Sequence, residues 1–379
     1  MSSYIRYYIF SLAKSHTHIF LLSETLKHTI LKHQLIDSKT SKAPTVMDTS
    51  EYYTKEKKLG EGTFAIVYLG KKKSSNESNK ALPDQVAIKE IKLDLMKKQS
   101  SDVDNGDVTG IDISAIREIK YLQELRQHAN IIKLFDVYTD TTNSINLVLE
   151  FLPMDLEKLI KKKTIIFNSM DLKLIVLQML RGVNHLHRLS IMHRDLKPAN
   201  LLIGNDGMIK IADFGLARIY DDGGINAHSN MTNNVVTRWY KAPELLLGSK
   251  NYDFKIDIWS LGLIIIELLI RVPYLPGKDD MDQLTLMFKV MGTPTEKDWL
   301  HVKALPNYNT NLYMYPKPNR QEWRKRFVAI SDNFLDLLIN MLEMSPKSRW
   351  NVVQCLESEY IREFPRPSDP LDLVALMKE

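Results

Sequence analysis

His193-Arg194-Asp195-Leu196-Lys197-Pro198-Ala199-Asn200, followed by Asp213-Phe214-Gly215, is the stretch that decides the fold. It sets a carboxylate, an ammonium and an amide within six residues, and a second carboxylate 18 residues after the first. That gap leaves room for a short hairpin. Asn200 and Asp213 carry the hard oxygen donors that Mg2+ takes as ligands. One short match of this kind carries little weight, so the surrounding chain has to supply the rest of a site.

The composition sets bounds on what that site can be. At 379 residues, with 44% hydrophobic and 26% charged residues, the chain reads as a globular protein long enough for two packed lobes. No apolar run approaches the ~20 residues that span a bilayer, so no membrane association is expected. Cys355 is the single cysteine, which excludes an intrachain disulfide and points to a reducing compartment, cytosol or nucleus. The net charge is +5, and residues 1–46 hold +4 of it, with six basic and two acidic side chains. A near-neutral body gives no global field for nucleic acid, and no direct nucleic-acid binding is expected.

Outward from the central stretch, the chain divides by composition. Residues 1–46 lack a sustained period and read as a disordered extension, with a mitochondrial presequence or an upstream start codon as the other readings. Residues 47–151 read as a small strand-rich lobe, in which Val86 and Ile88 alternate with Ala87 and Lys89. Ser74–Asp84 reads as a long hairpin loop and Lys97–Gly110 as a flexible insertion before a helix. Residues 152–366 read as helix-rich. Leu172, Ile175, Val176, Met179, Leu180, Val183 and Leu186 recur at helical spacing, and the apolar run from Ile258 to Ile270 reads as a buried helix. Pro365, Pro367 and Pro370 mark a tail, 367–379.

Gly60-Glu61-Gly62-Thr63-Phe64-Ala65-Ile66-Val67 fits a strand–turn–strand glycine loop, where backbone N–H groups approach phosphates without a Cβ in the way. Val86-Ala87-Ile88-Lys89 puts an ammonium on a strand, and Glu118 is its candidate carboxylate partner. Ala242-Pro243-Glu244 follows, with Arg349 the expected partner of Glu244. A glycine hairpin, a snorkelling lysine and an exposed helix carboxylate are the bland readings of the first three taken singly. In chain order the set resembles the protein kinases, an α+β fold with a β-rich N-lobe carrying one regulatory helix and a larger helical C-lobe. The resemblance implies ATP and Mg2+ bound between lobes, Asp195 as catalytic base, and Lys197 steadying the transferred phosphoryl group. Lys89 and Glu118 would order the nucleotide phosphates, and Asn200 and Asp213 would hold the metal.

Asp112-Ile113-Ser114-Ala115-Ile116-Arg117-Glu118 and Val235-Val236-Thr237-Arg238-Trp239-Tyr240-Lys241 resemble the cyclin-binding helix and substrate-binding segment of the cyclin-dependent kinases. Tyr53–Thr63, Asn146–Glu157 and Asn234–Tyr240 are similar to the fungal TFIIH-associated kinases that phosphorylate RNA polymerase II. That resemblance implies an H-type cyclin, a RING-finger assembly factor and the TFIIH core as partners, the polymerase C-terminal repeats as substrate, and a nuclear location. It also implies an adenine pocket of Leu149, Glu150, Leu152, Val67, Ala87 and Leu202, with Asp155 at the ribose. Thr232 aligns with the family's activating threonine, and Arg117, Arg194 and Arg218 would receive its phosphate. Two rivals stay open: a cell-cycle or cyclin-dependent-kinase-activating enzyme, and a catalytically silent scaffold.

Overall fold

The computed structural model describes residues 53–62, 65–73, 83–91, 113–125, 128–140, 144–220, 238–309 and 313–378. The extension 1–46, Thr63, Phe64, Thr232, residues 235–237, the insertion 97–110 and most of the 74–84 loop lie outside them.

The described parts of Met1–Ile116 form one compact unit with Asp136–Val148. Its strands are β1 (Tyr53–Glu61), β2 (Ala65–Lys72), β3 (Gln85–Ile91), β4 (Leu134–Thr139) and β5 (Ile145–Glu150), in the order β1-β2-β3-β5-β4. β4 and β5 cross the boundary between the units. β1–β2 and β2–β3 are antiparallel, and the second pairing sets Val67 opposite Lys89 and Leu69 opposite Ala87. The period of two read in β3 is borne out. Val86 and Ile88 are fully buried and cluster with Tyr53, Val148 and Tyr138. Ala87, Lys89 and Val67 are half-buried. Ala87 and Lys89 alternate with the buried pair, so they face the other side of the sheet.

Arg117–Phe135 and Leu149–Glu379 make up the second unit. Helix α1 (Ile113–Leu125) crosses the boundary and places Glu118 among the buried Ala115, Tyr121, Leu122 and Leu125. A carboxylate in an apolar stripe requires a partner. After β6 (Met154–Asp155) come α2 (Leu156–Lys161) and the long α3 (Ser169–Arg188). Asn168 starts α3 with a capping box, accepting from Met170 N and Asp171 N while Asp171 accepts from Asn168 N. The apolar stripe expected there is buried from Ile175 to Leu186, with Leu172 half-buried. Lys173 and Gln178 are also buried on α3, which apolar spacing gave no reason to expect.

β7 (Ile191–Met192), β8 (Leu201–Ile203), β9 (Ile209–Ile211) and β10 (Arg218–Ile219) are short. β6, β8 and β9 form one small sheet, and β7 pairs with β10. Helices α4 (Pro243–Leu246), α5 (Lys255–Ile270), α6 (Asp280–Met291), α7 (Arg320–Arg326), α8 (Asp332–Met341), α9 (Val352–Leu356) and α10 (Glu359–Arg362) follow. α5 is buried on nearly every face, as its composition predicts. The proline-marked tail carries a helix that was not read from the sequence, α11 (Pro370–Lys378), which opens on Pro370. Proline suits a first helical turn because the N–H it lacks has no partner there anyway. Among the described residues, no helix is long and apolar enough to cross a membrane.

Candidate active site

The central stretch runs from β7 through a 3-10 turn, Pro198–Asn200, into β8. Its shape is set from behind by Asp257 on α5, which is fully buried. One carboxylate oxygen accepts from Arg194 N (2.9 Å). The other accepts from His193 N (2.9 Å) and lies 2.9 Å from His187 Nε2. Those bonds hold Arg194 at φ 71°, a left-handed conformation a β-carbon resists. His193 is buried, its Nε2 donating to Ala212 O (3.0 Å) and its Nδ1 accepting from Asp195 N (3.3 Å). Phe214 packs edge-on against the same ring, 5.1 Å between centroids.

Three of the expected catalytic and metal residues meet here. Lys197 Nζ lies 2.7 Å from Asp195 Oδ2, and Asn200 Nδ2 donates to that oxygen (3.2 Å) and to Asp195 O (2.9 Å). Both amide donors of Asn200 thus point at Asp195, leaving its carbonyl oxygen for a hard cation. Among the described residues, Asp195 Oδ1 is likewise left over. Asp213 joins through the hairpin, since Ala212 N donates to Asn200 O (2.9 Å) and Asp213 follows at φ 64°. No group of three His, Cys, Asp or Glu residues among the described residues could hold a metal. Two oxygen-donor residues, Asn200 and Asp213, suit Mg2+, which keeps waters and phosphate oxygens as its other ligands.

Arg218 on β10 is driven down to about 10 by burial and then by the charges of Arg117 and Arg194. The three expected arginines therefore lie within electrostatic reach of one another. Tyr121 beside them is pushed up chiefly by burial, against the pull of Arg218 and Arg117.

Glu244 and Arg349 form the expected pair, bidentate at 2.8 and 2.9 Å and buried. Arg349 also donates to Lys255 O, Met344 O and Glu343 O, so the fork is fully used. Arg238 reaches Asp280 (3.0 Å) and Lys278 O (2.9 Å), and Trp239 Nε1 donates to Gly277 O (3.0 Å). A small cavity beside Asp195 is lined by Leu196, Tyr240 and Lys241. Burial, with Arg238 and Arg194, lowers the Lys241 ammonium, while Asp280 and Asp195 oppose the shift.

The remaining candidates fall in two groups. Gly60, Glu61, Ala65, Ile66, Val67, Ala87 and Lys89 lie on β1–β3 of the first unit, with Gly62 just past the end of β1. Gly62 N donates to Ala65 O (2.9 Å), and a Cβ on Gly60 would meet nothing within 4 Å. Packing therefore does not require glycine at position 60, whereas close approach of a polyphosphate would. Leu149, Glu150, Leu152, Asp155 and Leu202 lie in the second unit with Glu118. Glu150 is held by Lys210 at 2.7 and 2.8 Å. Asp155 caps α2, accepting from Lys158 N (2.7 Å), so part of its carboxylate is already committed.

Asp257 and His187 were not read from the sequence. A carboxylate at the start of the apolar α5 was the available clue to Asp257, since a buried charge needs partners.

The protein kinase domain family model matches residues 53–361. Serine/threonine-protein kinase KIN28 of Saccharomyces cerevisiae is 52% identical over 324 residues, covering 86% of this chain and 98% of the relative. Serine/threonine-protein kinase crk1 of Schizosaccharomyces pombe is 44% identical, covering 84% and 87%. Cyclin-dependent kinase 7 of Xenopus laevis is 39% identical, covering 85% of each. A solved structure described as the CAK complex from Chaetomium thermophilum bound to ATP-gamma-S aligns with TM-score 0.73 at 40% identity, covering 85% of this chain and 95% of that one.

Proposed function

From the premise that this chain belongs to the protein kinase family, in its cyclin-dependent branch, we propose that it is the TFIIH kinase, transferring phosphate to Ser-Pro and Thr-Pro sites, with the RNA polymerase II C-terminal repeats as its substrate. The chain is a serine/threonine kinase that uses ATP with Mg2+ and works with a cyclin. Its cyclin is of the H type, and a RING-finger assembly factor and the TFIIH core complete the assembly, in the nucleus. The lobes are taken as 47–151 and 152–366, with the tail at 367–379 and the extension at 1–46.

The observation that carries the chemistry is the Asp195 carboxylate, with Oδ2 engaged by Lys197 and Asn200. Oδ1 remains to orient the substrate hydroxyl and take its proton. ATP, held with Mg2+, supplies the phosphoryl group. Lys197, at 2.7 Å from Asp195, offers the positive charge that steadies that group as it moves. Asn200 Oδ1 and Asp213 would hold the metal. Lys89 would hold the phosphates, with Glu118 as its partner. Gly60, Glu61, Gly62, Thr63, Phe64, Ala65 and Ile66 would cover the phosphates. Leu149, Glu150, Leu152, Val67, Ala87 and Leu202 would enclose adenine, with Asp155 at the ribose.

The segment Val235-Val236-Thr237-Arg238 is assigned to the residue after the phosphoacceptor. A backbone N–H left unpaired there costs about 1–3 kcal/mol, and proline has no N–H to strand. Phosphorylated Thr232 would place its charge among Arg117, Arg194 and Arg218, where burial and then the two neighbouring charges lower the Arg218 guanidinium. A second reading, activation of other cyclin-dependent kinases, is favoured by the likeness to the CAK complex. Purifying the chain with its native partners and identifying the cyclin tests the assignment. An H-type cyclin is expected, and a cell-cycle cyclin would contradict it.

A further inference from the structure

The metal-binding hairpin has two ends. Asn200 and Asp213 flank its open end, where Ala212 N donates to Asn200 O. At the other end the chain turns at Gly204–Met208, closed by Gly204 N to Met208 O (3.0 Å) and Gly207 N to Gly204 O (3.0 Å). β8 and β9 are three residues each. A two-stranded ribbon of that length has little stability of its own and takes its position from what it packs against.

One support is Gln178 of α3, which is buried. It donates to Gly207 O (3.1 Å) and accepts from Ile209 N (2.8 Å). Asn130 joins it, donating to Ile209 O (2.8 Å) and Gln178 Oε1 (3.1 Å). The other support is the tail. Gly207 sits at φ 73°, and a Cβ there would lie 1.8 Å from Pro370 O. Backbone therefore meets backbone, with no room for any other side chain.

The tail is fastened along its length. The buried Lys173 donates to Glu363 O (2.7 Å) and Pro365 O (2.8 Å). Ser368 N donates to Met170 O (3.3 Å). Leu373 is 1% exposed, and Lys162 Nζ caps the end of α11 through Met377 O (2.7 Å). A lysine is rarely sunk to this depth without partners, and here its partners are carbonyls of the segment that leads into the tail.

We propose that α11 is a positioning element for phosphoryl transfer: by seating Pro370 on Gly207 it fixes the β8–β9 hairpin and so the spacing of Asn200 and Asp213, an inference that rests on the kinase reading of this site. Mg2+ demands near-ideal octahedral geometry, so small displacements of its two protein ligands weaken its hold. Leu373, Lys162 and Gly207 act through the hairpin and touch no substrate.

The test uses the full chain with its cyclin. Leu373→Ala removes the buried anchor of α11, and Gly207→Ala removes its seat. Each should raise hydrogen exchange of the Ile209–Ala212 amides by roughly 10-fold or more. Each should also raise the Mg2+ concentration for half-maximal turnover by about 3- to 10-fold. Exchange in α5 should stay unchanged, which separates this from general unfolding. If either variant fails to fold, Lys162→Met loosens only the end of α11 and should shift both readings the same way by less. Faster exchange in α11 itself, with hairpin exchange and Mg2+ requirement unchanged, would overturn the proposal and leave the helix a passive cover. Asp213→Asn separates the two levels. Wild-type turnover in that variant would remove the metal reading of the hairpin. Its inactivity, beside a Leu373→Ala enzyme indistinguishable from wild type, would sink the tail inference alone.

Discussion

Asp195 has one oxygen tied to Lys197 and Asn200 and one left for a substrate hydroxyl. Asp195→Asn keeps the shape and loses the base, so phosphoryl transfer should fall by roughly 10²–10⁴-fold. Nucleotide affinity, measured by equilibrium titration, should hold, and near-wild-type turnover would remove the role given to Asp195. A second residue-scale effect concerns pH. His128 and His185 stack with centroids 4.5 Å apart, beside Arg181 and Arg188. Both imidazoles are lowered, first by burial and then by neighbouring positive charge. The unfolded chain binds these protons more readily, so stability contributed by the neutral pair is present above about pH 6.5 and is lost as pH falls below it. Thermal midpoints taken from pH 7.5 to 5 should decline, and His185→Phe should flatten the decline. An unaltered slope in that variant would assign the effect elsewhere. Asp195, Lys197, Asn200 and Asp213 were legible because one short stretch holds them at fixed spacing. Asp257 and His187 were not, because each acts through a fold contact far from it in sequence.

Elements show the same division. β3 and α5 were readable, since alternation and an apolar run fix which faces are buried. α11 was not. It is only nine residues long, and its place comes from Gly207 and Lys162, neither near it in the chain. The join of α4 to the segment before α9 was expected from Ala242-Pro243-Glu244 and is the buried Glu244–Arg349 pair. Its worth can be tested directly. Arg349→Leu strands a buried carboxylate and should cost about 3–5 kcal/mol in chemical denaturation. The double variant Glu244→Leu, Arg349→Leu should recover much of that loss, because no charge is left unpaired. Equal losses in the single and double variants would show that the backbone bonds of Arg349, and not the ion pair, carry the stability.

At the scale of the whole molecule, the roles proposed for Thr232 in regulation and for Val235–Arg238 in substrate choice fall in the segment between Arg218 and Ala242. On that proposal Thr232→Ala should lower activity of the bare kinase–cyclin pair, because the phosphate assigned to Arg117, Arg194 and Arg218 is missing. Assays of paired wild-type and variant complexes check this, and equal rates would remove Thr232 as the switch. The central claim is that this is a cyclin-dependent, proline-directed kinase of the polymerase tail. The most direct test is kcat/KM for heptad peptides, Tyr-Ser-Pro-Thr-Ser-Pro-Ser and its Pro→Ala variants, measured with and without the purified cyclin. Phosphorylation should require the cyclin, fall at the serine of heptad position five, and drop by roughly 5- to 150-fold when the following proline is alanine. Efficient use of Ser-Ala peptides, or full activity without a cyclin, would contradict it.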